Sequence, residues 1–550
     1  MRSAWPCGGA TFALLALAAC HDPVEAGAHA DAGARQGRAQ ASPSAPVSRF
    51  ALANRFAYIP PQCWTATRGD DGAVASNPCY PCHTRGTPPN PVDDSDLQLT
   101  LSLPRPAASN PWTNVLLPPS TRIPAAAIDD LLAYVRQSNY LDERGAPVTL
   151  ATGGYQPDAW FAFDDQGFDR RPDGTFTGWR AFAYYPFPGT FFPTNGSADD
   201  VLIRLDPALQ QDEGGTFDRA VYVVNLAIVE ALVRRADVPI DAVDEARLHV
   251  DVDGNGFLGR ATHVAYRPRM QYVGRARVDA AAGRLPIAPG LLPPYTEFLH
   301  SVRYLDIGPA GEVVMAPRMK ELRYAKKMRW FSPADLEQLT ARETAEQART
   351  PDGVEYFVPQ GDSGVYNGKG WLLQGFIEDA RGRLRPQSYE ETVACVGCHG
   401  GIGATTDSVF ALPRKLASPR FARGWYHWSQ HGIAGTPEPQ RRGGTYEYTR
   451  YLELNRAGDE FRENSEVGAR FFDSRGALRP EAVEALHGDI ATLLVPSPAR
   501  AMALDQAYRA IVLEQSFARG REPVLSSPSH VYAYAPAGEP TGIASAVVNP

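Results

Sequence analysis

Ser388-Tyr389-Glu390-Glu391-Thr392-Val393-Ala394-Cys395-Val396-Gly397-Cys398-His399-Gly400-Gly401 is the stretch from which the rest of the chain can be ordered. Ser388 and Glu391, three residues apart, form a capping box. The spacing predicts a helix from about Tyr389 to His399, ended by Gly400-Gly401. Residues at i, i+3 and i+4 share one helix face. Cys395, Cys398 and His399 therefore present two thiols and an imidazole on the same side of the last turn. The same spacing recurs in Cys79-Tyr80-Pro81-Cys82-His83. There Asn77 is suited to cap and Pro78 to open a helical turn. Pro81 removes a backbone hydrogen bond, so this turn is expected to be brief.

The chain has 7 cysteines, and these two pentapeptides hold four of them. A disulfide framework would use long bridges rather than two-residue gaps. A zinc site would have to unite pairs more than three hundred residues apart. A thioredoxin-like dithiol at Cys79 and Cys82 would open a long helix, which Pro88, Pro89 and Pro91 oppose. C-x-x-C-H instead matches covalent c-type haem attachment, in which two thiols add to the vinyl groups and the histidine ligates iron. On these ten residues the chain resembles di-haem c-type cytochromes, and less closely the bacterial di-haem cytochrome c peroxidase-like proteins. The resemblance implies two covalent haem c groups on Cys79, Cys82, Cys395 and Cys398, with His83 and His399 as proximal ligands. It implies electron transfer with redox partner proteins at the cell envelope. The alternative is a peroxidase- or oxygenase-like enzyme with one open-faced haem.

The second axial ligand separates these readings. No methionine follows His83 until Met270, and none follows His399 until Met502. Candidate distal ligands are His427 and His431, in the aromatic run Trp425-Tyr426-His427-Trp428, and His300, in the alternating stretch Phe298 to Tyr304. Met319 would reach a haem only through tertiary folding. Cys63 stands outside both motifs and reads as a buried thiol, with an intermolecular disulfide or a place beside the first haem as alternatives.

At the other end, Met1-Arg2 precedes a short apolar run, and Leu17-Ala18-Ala19-Cys20 resembles a bacterial lipobox. The resemblance implies removal of residues 1–19 and lipidation of Cys20. Residues 20–48, rich in Ala, Gly, Pro and Ser, read as a flexible tether. The expected setting is the periplasmic side or the cell surface, held by the lipid anchor at the outer membrane. No later stretch reaches the roughly 20 apolar residues of a membrane span. A net charge of −8 excludes a basic nucleic-acid binder.

The length of 550 residues exceeds one ordinary domain of about 100–200. An N-terminal haem segment over 49–120, a mixed β-rich middle over 121–380 and a C-terminal helical haem domain over 381–550 are expected. The fold class is α+β and multidomain, with helical haem segments flanking a mostly-β middle. Phe161 to Phe192 is dense in aromatics and reads as β and irregular structure packed around rings. Ala220 to Ala236 reads as a buried helix, and Ser332 caps another running to about Arg349. Helices are also expected over Pro480 to Val495 and Ser497 to Arg519, the latter stopped by Gly520. Asp251, Asp253 and Asn255 match the first half of a calcium loop, but Thr262 stands where an EF-hand glutamate belongs. Asn255-Gly256 is equally a hairpin turn signal, so a calcium ion and a plain turn both stay open.

Overall fold

The computed structural model describes residues 52–65, 79–124, 126–150, 153–416, 421–441, 443–456 and 461–547. The expected signal segment, Cys20, its tether and the caps Asn77 and Pro78 lie outside the described residues. An antiparallel sheet of nine strands carries the architecture. Its first strands are β1 (Phe168–Arg170), β2 (Phe176–Phe182) and β3 (Ala198–Arg204). After a separate hairpin of β4 (Val238–Asp244) and β5 (Arg260–Val264), the chain returns as β6 (Glu297–Ile307) and β7 (Val313–Lys327). Short strands β8 (Val358–Pro359) and β9 (Val365–Tyr366) precede β10 (Trp371–Glu378) and β11 (Leu384–Pro386). The order is β1-β2-β3-β6-β7-β10-β9-β8, with β11 also on β10. The fold is mixed α+β.

The alternating stretch around His300 becomes β6, as its period of two predicts. Its partner β7 follows through a turn in which Gly311 takes φ 84°. Gly308 N–H donates to the Glu312 carbonyl at 2.8 Å to close the hairpin. Pleating then sorts the side chains. On one face Trp179, Leu202, Leu299, Leu322, Tyr324 and Phe376 pack with Tyr140 and Tyr155. On the other, Phe182, Ile203, Phe298 and Leu373 meet the helices Arg219–Arg234 and Tyr389–His399.

Local signals place several helices closely. Asp218 caps Arg219–Arg234 by accepting from Ala220 N–H and Val221 N–H. The Ser332/Asp335 and Ser388/Glu391 pairs make complete capping boxes on Pro333–Arg349 and Tyr389–His399. Two C-terminal helices differ from expectation. One breaks at Asp489 into Pro480–Gly488 and Ala491–Leu494. The other stops at Glu514 because Gln515, not a glycine, turns left-handed at φ 51°. Asn255-Gly256 lies in the long connection of the β4–β5 hairpin, so the residues flanking it are not strands. Residues Ser44–Pro550 form one compact unit. The N-terminal segment is stitched to the C-terminal one: Leu101 N–H donates to the Glu539 carbonyl, and Tyr532 N–H to that of Trp64.

Buried ion pairs lock helices and loops to this frame. Lys320 of β7 meets Asp505 of the 498–514 helix at 3.0 Å, and Lys415 meets Glu230 of the 219–234 helix at 3.0 Å. Lys327, at the end of β7, pairs with Asp407 in the loop after His399. Breaking such a pair by removing one partner costs about 3–5 kcal/mol, because the other charge stays buried. Lys320→Met is expected to cost that much in denaturant unfolding at pH 8. Burial already pushes the Asp505 carboxyl up to about 7. A raised acid gains protons on folding, so the loss should shrink toward pH 5. Adding Asp505→Asn removes the stranded charge and should restore most of the stability.

Candidate functional site

The helix Tyr389–His399 begins immediately after β11 and lies over β10. Gly375 of β10, opposite Arg323 of β7, leaves room for the Gln387 side chain. Around Cys395 runs a charge network. Arg323 and Arg521 donate to Glu321 at 2.9 and 3.0 Å, and Arg385 pairs with Glu391 at 2.8 Å. Burial works to raise the Glu321 carboxyl, but the two guanidiniums outweigh it and hold it at about 2. At the end of the helix, His399 Nδ1 lies 2.9 Å from the Ser408 carbonyl oxygen. Burial pushes this imidazole down to about 4. The accepting carbonyl sits in an unusual turn, with Asp407 at φ 52° and Ser408 at φ 63°. Left-handed backbone at non-glycine residues costs of order 1–3 kcal/mol each. Here Lys327 and the Leu292 N–H hold the turn through Asp407.

The first turn is the short helix Cys79–Cys82, closed by His83 N–H donating to the Cys79 carbonyl at 2.9 Å. His83 Nδ1 lies 3.0 Å from Asp94 Oδ2, while Gln98 donates to the His83 carbonyl. The two turns, far apart in sequence, are linked through the loop that follows the second. Ala404 N–H donates to the Cys82 carbonyl at 3.1 Å. The Asn90 amide donates to the Ile402 and Thr405 carbonyls, both at 3.0 Å. Cys63, in the turn Pro61–Trp64, lies close enough for the Cys79 and Cys398 thiols to add to burial in raising its pKa. None of the five described cysteines is in a disulfide. Among the described residues their sulfurs do not converge as metal-binding groups do; Glu245, Asp251 and Asp253 do, within 4.8 Å.

One aromatic loop visits both turns. Phe187 packs on Phe410 at 5.1 Å, and Phe410 on His399 at 5.6 Å. Phe191 packs on Tyr451, which meets Tyr80 of the first turn at 5.9 Å. Phe192 packs on His300 at 6.5 Å. Of the histidines proposed from sequence, His300 lies on the sheet face that carries Arg323, its cross-strand neighbour. It is bound through Nε2 to Asp199 at 2.9 Å. His427 lies on the opposite face, with Nε2 on Asp200 at 2.8 Å and Nδ1 on Ser429 at 2.7 Å. Both of its ring nitrogens are engaged, and the structure does not bring it to either turn. His431 is exposed between Phe421 and Tyr426. Met319 is fully buried in the core of the opposite face.

The calcium candidates form a closed loop. Asp251 accepts from Gly254 N–H and Gly256 N–H, Asp253 from Asn255, and Asn255 Oδ1 from Phe257 N–H. Glu245 approaches from the other side and accepts from Val252, Asp253 and Gly259 N–H groups. The two aspartates and Glu245 thus come together, whereas the Asn255 side chain serves the turn itself.

Residues 47–483 match the model of a lipoprotein family. The chain belongs to that family. The lipoprotein is 31% identical over 532 residues to an uncharacterized lipoprotein of Aquifex aeolicus (strain VF5), an alignment covering 84% of this chain and 85% of the relative. No solved structure matches it. Membership makes it a lipid-anchored protein of the cell envelope, and among its described residues no helix is long and apolar enough to cross a membrane.

Sequence reasoning missed several residues of the lipoprotein's site. Asp94 and Ser408, which hold the two histidines, carry no motif signal. Arg323 carries none either. Asp199 and the 187–192 loop are brought in by tertiary folding, although the loop's aromatic density was visible. Close backbone approaches here rely on missing side chains: a Cβ on Gly397 would overlap the Tyr58 carbonyl oxygen, in the segment before Cys63, and one on Gly403, in the loop after the second turn, that of Thr84. Gly397→Ala should therefore destabilise the lipoprotein by about 1–3 kcal/mol or more, as overpacking against backbone does. Exposed Gly432, with nothing within 4 Å, gives the control. Gly432→Ala should stay within about 0.5 kcal/mol in the same unfolding measurement.

Proposed function

We propose that the lipoprotein is an extracytoplasmic di-haem c-type protein that transfers electrons to and from partner proteins at the cell envelope, anchored in the outer membrane. The observation that carries this reading is the state of the two histidines. Each follows a Cys-x-x-Cys helical turn, and each has Nδ1 at an acceptor, Asp94 for His83 and the Ser408 carbonyl for His399. A metal-ligating histidine characteristically gives its second ring nitrogen to a carboxylate or carbonyl, which fixes the tautomer and aims the other nitrogen. In both turns that leaves Nε2 as the nitrogen for iron.

The surroundings suit the group. Cys82, Cys398 and His399 keep part of their accessible surface, yet burial dominates their ionisation. Such side chains combine access with a desolvated setting. Phe187, Phe192 and Phe410 supply apolar rings beside it. Cys79 and Cys82 would hold one haem and Cys395 and Cys398 the other, with His83 and His399 as ligands. When bound, haem supplies a one-electron couple. The chain's own contribution is to fix the ligand rings, exclude water and set charge nearby. The link between the two turns favours passage of an electron from one to the other.

The test is haem that survives acid–acetone extraction from the purified full-length lipoprotein, counted as the pyridine haemochrome. Two per chain are expected, and Cys395→Ser with Cys398→Ser should lower the count to one. No covalent haem in the unaltered protein, or an unchanged count in the variant, would overturn the reading.

A further inference from the structure

We infer that His300 is the second ligand opposite His399 at the Cys395–Cys398 site, and that Asp199 and Tyr184 are its positioning residues; this rests on the haem reading above. The placement follows from strand geometry. His300 of β6 is cross-strand from Val201 of β3 and from Arg323 of β7. Side chains opposite each other in antiparallel strands share a face. That face is the one covered by the Tyr389–His399 helix, in which Cys395 and Cys398 lie near Arg323. The 187–192 loop spans the same space, with Phe187 reaching the His399 side through Phe410 and Phe192 resting on His300.

The chemistry of the ring supports the role. His300 uses Nε2 for Asp199, which leaves Nδ1. Asp199 is fully buried and also accepts from the Tyr184 hydroxyl. Its other oxygen, Oδ1, is buried with no hydrogen-bond partner among the described residues. A buried carboxylate is costly unless it is paired. One that receives an imidazole N–H raises the basicity of the remaining nitrogen and fixes the ring's direction. The rival candidates fall away on position: His427 is satisfied at both nitrogens on the far face, His431 is exposed, and Met319 is packed into the opposite core.

The experiment uses the full-length holoprotein and reads haem count, optical and EPR spin state, and midpoint potentials. His300→Ala should keep two covalent haems while one changes from low-spin to high-spin. Added imidazole should return it to low-spin, and His300→Met should give a low-spin haem with the optical signature of methionine ligation. Asp199→Asn should leave both haems low-spin and shift one midpoint potential upward, because a weaker acceptor makes the ligand less electron-donating. Two haems with an unchanged spin state in His300→Ala, or unchanged potentials in Asp199→Asn, would overturn the assignment. Absence of covalent haem from the unaltered protein would instead remove the reading beneath it, and the haem count separates these cases.

Discussion

Neighbouring residues of a β-strand point to opposite sides of the sheet, and in β3 this divides two adjacent aspartates between two environments. Asp199 faces His300 and the helix that carries Cys395, Cys398 and His399. Asp200 faces His427, Ser301 and Arg303, among the rings of Phe161 and Phe163. On that far side burial works to raise the Asp200 carboxyl, but the His427 imidazole outweighs it and holds it well below the usual range. The same carboxylate also accepts from Ser301, so the far site is electrostatically closed. Asp199 is left with an unpartnered oxygen, and burial raises it. A one-residue slip in the β3–β6 register would exchange the two sets. The register is held by seven paired positions from Ala198 to Arg204, and on either side of it by large buried apolar residues.

The length of the chain follows from what this sheet has to hold. The two cysteine turns need only ten residues, but bringing them together takes a rigid body between them. The strands place Lys327 where it can anchor Asp407, and Asp407 holds the left-handed turn that aims the Ser408 carbonyl at His399. The excursion between β2 and β3 supplies the loop whose rings reach both turns through Phe410 and Tyr451. Residues before the sheet and after it then close over each other. Glu390, in the helix of the second turn, accepts from the backbone of Ala53 and Asn54. On the haem reading, buried ion pairs and close-packed rings give the stiffness that suits a group whose oxidation state changes.

Local features were legible in the amino-acid order. Ser388 and Glu391 gave the start of the cysteine helix, Ser332 the start of another, and the alternation around His300 a strand. Features lacking a local signal were not. Gln515 ends its helix in a left-handed conformation that nothing in its own chemistry announces. Asp94 and Ser408 become partners of histidines through loops, and the pairing of Asn90 with Ile402 and Thr405 spans more than three hundred residues. His427 sits in the aromatic setting that made it attractive, and the parity of β3 places its partner Asp200 on the face away from the cysteine turns. Aromatic density identified Phe161 to Phe192 as ring-packed without separating core rings such as Phe182 from those that reach the cysteine turns.

The two turns are chemically unequal, and on the haem reading this gives the site a direction. His83 is partly exposed, with 23% of its side-chain surface accessible, and its Nδ1 meets a carboxylate. His399 meets a neutral carbonyl and has the guanidinium of Arg323 among its neighbours. A carboxylate partner makes an imidazole a stronger donor and favours the oxidised metal, whereas nearby cationic charge favours the reduced one. Asp199 works against that trend at the second turn, but it is shared with Tyr184, and Arg521 joins Arg323 close to Cys395, with Glu321 offsetting one of the two charges. The first turn, whose histidine meets the carboxylate, is then the natural entry point for a partner protein's electron. The second turn is where the electron would come to rest.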